Sequence, residues 1–359
     1  MSGRTKALVV KQSPPGRKPV LHDAVLEEQV IPQLTPGQVL VKINAVAFNH
    51  RDLWIRKGQY PGIAFGSTFG VVVAASERGD SLINKRVFLV PMRGWEKDPY
   101  APESPKFTIL GGGNVVPIGT FSQYVAVERD QVILSPEHLN DYQLAAWPLG
   151  AVTAWRATMV NAEVKKGDNV LVTGAGGGVA LTAIQLCVAA GASVYVTSGS
   201  EDKIQKAVAL GARGGVNYKS KDWPVQLGKL LAQHSGTGTQ LDAVIDSGGG
   251  DLMGQIGKIL KAGGKVVIYG MTAAPKINFT MREVLKNQRL IGSTMGSHQD
   301  LIDATKFLAH HRIVPIVSRV LDGLESAEEG FQILERGDHF GKVVIHVRHD
   351  DGKKTSSKL

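Results

Sequence analysis

Val170-Leu171-Val172-Thr173-Gly174-Ala175-Gly176-Gly177-Gly178-Val179-Ala180, continuing as Leu181-Thr182-Ala183-Ile184-Gln185-Leu186-Cys187, decides how this chain is read. A short apolar strand enters a turn that is almost all glycine, and the turn opens a helix with an apolar face. Glycines permit the sharp turn and a close approach of backbone to an anion. The first N–H groups of the helix have no intrahelical partner and face that anion. A dinucleotide phosphate site requires this order of elements. The spacing departs from Gly-x-Gly-x-x-Gly; the better frame is Gly174-x-x-Gly177-x-x-Ala180, with Ala180 as the small residue where helix meets strand.

Around this stretch, strand-like runs (Val170–Thr173, Ser193–Thr197, Ala243–Asp246, Lys265–Tyr269) alternate with helical ones (Val179–Ala190, Asp202–Leu210, Trp223–His234, Leu252–Leu260). Short connections between them predict a parallel sheet covered by helices on both faces. Before it, β-branched runs at Lys6–Val10, Gln38–Ala47, Gly70–Ala75, Arg86–Val90 and Phe121–Val127 are bounded by Pro and Gly. The stretch Met92–Gly119 is an irregular lobe. After residue 291 a helix, Gln299–His310, and a strand, Gly341–Val347, are too few for a domain and are expected to return to the first one.

At 359 residues, 43% hydrophobic and 20% charged, the chain has the composition of a two-domain globular protein. No apolar run reaches the length of a membrane span. The single cysteine, Cys187, excludes an intrachain disulfide and a cysteine cluster for structural zinc, and reads as packed and inert. A net charge of +9 is spread along the chain without a basic-aromatic platform, which argues against nucleic acid as a partner. The last three residues, Ser357-Lys358-Leu359, are the peroxisomal import address at its required position. The expected partner is therefore the peroxisomal import receptor; a fluorescent fusion that stays diffuse with the tail intact contradicts this.

Several separated motifs, in order, carry a family likeness. They are Asn49-His50-Arg51-Asp52-Leu53-Trp54-Ile55-Arg56-Lys57-Gly58-Gln59-Tyr60, Pro148-Leu149-Gly150-Ala151-Val152-Thr153-Ala154-Trp155, the glycine turn, Ala209-Leu210-Gly211-Ala212 and Phe340-Gly341-Lys342-Val343-Val344. From about residue 5 to 347 the chain resembles the medium-chain dehydrogenase/reductase superfamily, and within it the zinc-less, zeta-crystallin-like quinone oxidoreductase branch. The resemblance implies an α/β fold. A chaperonin-10-like β-rich catalytic domain (1–152 plus 291–347) would hold an inserted Rossmann doubly wound domain (153–290), with a flexible tail at 348–359. It also implies a nicotinamide cofactor in the cleft and a possible homodimer. The zinc branch has a cysteine where this chain has Asn49, a histidine where Gly66-Ser67-Thr68 stands, and its third ligand near Pro148-Leu149. An amide, a hydroxyl and a proline cannot make a three-ligand tetrahedral site, so no metal is expected.

Without a Lewis acid the easier substrate is conjugated, a quinone or an α,β-unsaturated carbonyl, whose developing charge spreads to a distant oxygen. Asn49 either orients substrate or nicotinamide or holds a turn. By the resemblance, His50 faces the pyrophosphate and Thr153 the nicotinamide, while the Thr153 hydroxyl read alone is a helix cap. Arg51 is a donor to substrate oxygen or a surface residue; Tyr60 a phenolic donor or a core residue; Asp52 and Arg56 a local i, i+4 ion pair. Gly174, Gly177, Gly178 and Val179 would cradle phosphate. Strand Ser193–Thr197 is followed by Ser198-Gly199-Ser200, where an NAD enzyme carries an acid for the ribose 2′-OH. With Lys203 nearby, and Tyr218 spaced as in the quinone reductases, the pocket predicts NADPH. Gly270 and Met271 follow a sheet strand; Ser293 and Met295 resemble the nicotinamide-lining segment, and Lys342 a C-terminal loop entering the cleft. Met271, Met281 and Met295 read more often as apolar filler than as functional residues. Other activities left open are an enoyl thioester reductase, a metal-free alcohol or aldehyde dehydrogenase, and an NADPH-binding structural or RNA-binding protein with little turnover.

Overall fold

The computed structural model describes residues 3–60, 68–111, 118–234 and 240–349. The chain runs β1 (Arg4–Lys11), β2 (Asp23–Val30), β3 (Gln38–Ala47), α1 (His50–Arg56), β4 (Thr68–Ala75), β5 (Arg86–Leu89), β6 (Met92–Arg93), β7 (Thr108–Ile109), β8 (Tyr124–Glu128), β9 (Val132–Leu134), α2 (Asp141–Ala146) and α3 (Pro148–Trp155). There follow β10 (Asn169–Val172), α4 (Gly178–Ala189), β11 (Ser193–Ser198), α5 (Glu201–Ala209), β12 (Gly214–Asn217), α6 (Trp223–His234), β13 (Leu241–Asp246), β14 (Gly249–Gly250) and α7 (Leu252–Ile256). The last part is β15 (Leu260–Ile268), β16 (Ala274–Ile277), α8 (Met281–Leu285), β17 (Arg289–Gly292), α9 (His298–His311), β18 (Val317–Asp322), α10 (Ala327–Arg336) and β19 (Lys342–His346).

Two sheets organise these elements. The six-stranded sheet is parallel throughout, in the order β12-β11-β10-β13-β15-β17. Buried on both faces, β10, β11 and β13 are near-continuous apolar runs, which is why they were legible as strands. Strand order reverses between β10 and β13, and open α/β sheets bind ligands at the carboxyl ends beside such a reversal. The seven-stranded sheet follows the order β18-β19-β3-β4-β5-β9, with β8 also on β3. The last strand, β19, therefore pairs antiparallel with β3, nearly three hundred residues earlier.

The two sheets share a core. Trp147, wholly buried between α2 and α3, donates its indole N–H to the Thr305 hydroxyl of α9 at 3.0 Å. Pro148 opens α3, where its missing N–H costs nothing. The cysteine-free lobe is held by other means. Glu103 accepts the backbone N–H groups of Glu96, Lys97 and Asp98 at 2.7, 2.8 and 2.6 Å, and those bonds hold its pKa down to about 2. The buried Arg156 guanidinium then docks the lobe. It donates to the Pro99 carbonyl (2.6 Å) and to Asp300 (3.0 Å) and lies 4.2 Å from the centre of the Trp95 ring. Breaking a buried pair of this kind costs about 3–5 kcal/mol.

Four readings are corrected. Helix Leu252–Leu260 ends at Ile256, and Leu260 begins β15, whose pairing with β13 is interrupted by an irregularity that includes Gly263 (φ 72°) and Gly264. Strands β2 and β18 and helix α10 went unread. Asp52 and Arg56 do not pair with each other: Asp52 accepts the Asn49 N–H at 2.7 Å, and Arg56 reaches Glu328 of α10 at 2.7 Å. Met271 and Met281 are exposed rather than filler, whereas Met295 is buried. Cys187 is fully buried, and burial pushes its thiol pKa well up, so it stays protonated.

Candidate active site

The glycine turn lies at the carboxyl end of β10, beside the strand reversal. Gly174 and Gly176 have φ of 67° and 151°, conformations side chains disfavour. Gly177 is the N-cap of α4, and no side chain caps the helix, so its first N–H groups face outward to any arriving anion. Val179 is half-buried in the first turn.

Lys342 crosses this helix start. A Cβ on Gly178 would overlap Cδ of Lys342, so glycine is required there by a neighbour as well as by any ligand. The wholly buried ammonium donates to the Phe48 carbonyl and, at 2.6 Å, to Oδ1 of Asn49. Burial lowers its pKa to about 8 against the opposing attraction of Asp52. The acceptor end of the Asn49 amide is thus committed to Lys342, and Nδ2 donates to the Ala47 carbonyl at 3.3 Å. Asn49, Asp52, Lys342 and Gly178 form one cluster joining the two sheets.

At the end of β11, Ser198 is buried and followed by Gly199, whose Cβ position lies 2.7 Å from the Tyr218 hydroxyl. No acid stands there. Glu201 and Asp202 begin α5, and Asp202 pairs with Lys206 at 2.7 Å. Lys203 runs along the glycine turn, its Cδ 3.0 Å from where a Cβ on Gly176 would be, and donates to the Gly337 carbonyl at 2.8 Å. Partial burial, chiefly, holds its pKa below the ordinary lysine value. Tyr218 therefore stands at the end of β11, and Lys203 at the glycine turn.

The remaining residues fall into two groups. Thr153 lies inside α3 and donates to the Leu149 carbonyl at 2.8 Å, so it is no cap; its hydroxyl also meets the Met295 sulfur at 3.9 Å. Ser293, one residue past β17, keeps a buried hydroxyl without a hydrogen-bond partner among the described residues. Gly270 packs on Ser247, and Met271 lies beside Gly249. These line the carboxyl edge of the sheet. On α1, the His50 ring packs edge-on to Trp54 (4.8 Å), and desolvation, then Lys57, lower its pKa. Arg51 donates to the Leu110 carbonyl at 3.2 Å, which ties α1 to the lobe. Tyr60 is half-exposed against Trp54, at the border of residues 61–67. Gly66, Ser67 and the tail with Ser357-Lys358-Leu359 lie outside the described residues.

Sequence reading missed Asp246 as a site residue. Buried at the end of β13, it accepts the Thr173 hydroxyl at 2.5 Å and the N–H groups of Gly248 and Gly249 at 3.0 and 2.8 Å. It fixes the second glycine turn against the first. Burial raises its pKa despite those bonds. The signal was present as an acid ending an apolar strand before three glycines. Among the described residues, no group of three or more His, Cys, Asp or Glu side chains is placed to hold a metal ion.

Known proteins share this fold. The zinc-binding dehydrogenase family model matches residues 178–310, and that of the alcohol dehydrogenase GroES-like domain matches residues 35–137. The zinc-type alcohol dehydrogenase-like protein YogA of Leptosphaeria maculans is 40% identical over 331 residues, 87% of this chain and 91% of its own. A zinc-type alcohol dehydrogenase-like protein of Schizosaccharomyces pombe is 32% identical over 355 residues, 91% of this chain and 98% of its own. The crystal structure of an NAD-dependent alcohol dehydrogenase superposes with a TM-score of 0.82 at 30% identity, covering 96% of this chain and all of that one. The chain belongs to the medium-chain dehydrogenase/reductase superfamily and is an oxidoreductase of its alcohol-dehydrogenase-like kind.

Proposed function

We propose that this oxidoreductase works without zinc, uses NADPH, and reduces a quinone or an α,β-unsaturated carbonyl. The observation that carries the reading is Lys342, whose ammonium sits on Asn49 Oδ1 at 2.6 Å, where the zinc branch has its first ligand. A fixed cation at that oxygen repels a dication, and neither Pro148 nor Leu149 offers a donor side chain. Zinc, which the names of the relatives imply, does not fit this donor set.

When bound, the nicotinamide cofactor supplies the hydride. The start of α4 binds its pyrophosphate through backbone N–H groups, with Lys342 as the buried counter-charge. Lys203 takes the 2′-phosphate, next to a strand end that carries Ser198-Gly199-Ser200 in place of an acid. The solved neighbour at 30% identity is titled NAD-dependent; the missing acid favours the phosphorylated cofactor here. Asn49, held by Lys342, orients the reacting ring. Arg51 and Tyr60 stand on the substrate side as donors for the oxygen that gains charge.

The test is NADPH oxidation by purified protein against quinones, enones, enoyl thioesters and aldehydes. The reading expects turnover on the first two classes. Turnover confined to simple aldehydes, or tight NADPH binding with turnover on none, contradicts it.

A further inference from the structure

Between α10 and β19, Gly337-Asp338-His339-Phe340-Gly341 lies against the glycine turn. The Gly341 N–H donates to the Gly176 carbonyl at 2.8 Å, Lys203 bonds the Gly337 carbonyl, and the Lys206 ammonium lies 5.8 Å from the centre of the Phe340 ring. His339 sits in the middle of this loop. Its Nδ1 is buried and has no hydrogen-bond partner among the described residues. A buried polar atom left unpaired calls for an explanation, and a ligand-binding role is one.

The surrounding charges say which ligand. Lys203 and Lys206 face the loop from α5, and Lys342 from β19. The one acid that acts on the ring, Asp338, is itself paired with Arg336 at 3.3 Å. Burial, then Lys203, hold the ring below its ordinary pKa, so it is neutral at pH 7. A phosphate arriving beside Lys203 or Lys342 reverses the sign of that field.

We propose that His339 is a further anion ligand of the cofactor site, taking a proton on Nδ1 as a phosphate of the dinucleotide settles against it. The proposal rests on the glycine turn being a dinucleotide site. One proton moves from solvent to the ring, and no bond to the cofactor is made or broken. The phosphate is either the 2′-monoester or the pyrophosphate, and NADH, which lacks the first, separates them.

The experiment is calorimetric titration of the full chain with NADPH and with NADH at pH 7.0, in two phosphate-free buffers of different ionisation enthalpy. Lys342, with its pKa of about 8, is already mostly charged at that pH. Wild-type protein is expected to take up a large fraction of a proton per NADPH bound. His339→Gln should abolish the uptake and weaken binding about 10-fold at pH 6.5, with little effect at pH 8. His339→Arg, charged throughout, should bind tightly with no uptake; it also stands in if the glutamine variant fails to fold. Uptake with both cofactors assigns the pyrophosphate, and uptake with NADPH alone the 2′-phosphate. Equal uptake in wild type and His339→Gln overturns the role of His339 while leaving the dinucleotide site intact. Absence of any nucleotide binding by the wild type overturns both.

Discussion

Replacing Lys203 with alanine is expected to raise the Kd for NADPH by about 10- to 100-fold and to leave the Kd for NADH within about twofold. A hydrogen bond to a charged group is worth about 1.5–3 kcal/mol, and each 1.4 kcal/mol is a factor of ten. The effect should be selective if Lys203, the first lysine after the acid-free end of β11, takes the 2′-phosphate that only NADPH carries. Its bond to the Gly337 carbonyl is easily exchanged, since that carbonyl is exposed and can take water instead. Equal losses for both cofactors would place Lys203 at the pyrophosphate or in a purely structural role. Fluorescence titration with each cofactor reads the difference.

The second large effect belongs to Lys342. Lys342→Met should lower stability by about 1–3 kcal/mol, because it leaves the Phe48 carbonyl and Asn49 Oδ1 without their donor. It should also raise the KM for NADPH at least about 10-fold, through loss of the counter-charge at α4. Gly178→Ala should resemble it, because a Cβ at 178 displaces the stem that places the ammonium on Asn49. The two changes act on one element, so their stability costs should not add in a double-mutant cycle; full additivity would refute the shared cause. The pH dependence has a definite sign. The folded pKa of about 8 lies below the ordinary lysine value, so the folded protein loses this proton first as pH rises. NADPH affinity should therefore fall above about pH 8. Stability, by contrast, should gain between about pH 8 and the lysine range, where the unfolded chain binds more protons. Lys342→Met should lack both limbs.

What could be read without coordinates was local. The turn from Gly174 to Gly178 declares itself because strand, glycines and helix are adjacent, and the parallel strands because burial on both faces leaves unbroken apolar runs. What failed was cancelled locally and settled at a distance. Helix α10 contains Gly330, which reads as a breaker; it is glycine because the Phe48 ring of another segment occupies the space of a side chain. The start of β15 was missed because Gly263 and Gly264 sit in an irregularity of its pairing with β13, which local sequence reads as a turn. Asp52 and Arg56 have the spacing of an ion pair, but capping at Asn49 and the reach to Glu328 win. The Asn49–Lys342 bond joins residues 293 apart, so no periodicity could announce it. His339 was passed over because its isolation becomes visible only once the loop is seen against the glycine turn.

The claim beneath all of this is that phosphate held on glycine-lined backbone, with Lys342 in place of a metal, equips this site for redox chemistry. Its most direct test is the NADPH oxidation rate, on a quinone that the protein turns over, before and after exhaustive treatment with a zinc chelator, with metal content measured on the same samples. The account predicts an unchanged rate and far less than one zinc per chain in both. Stoichiometric zinc whose removal abolishes turnover, and whose return restores it, would contradict the account.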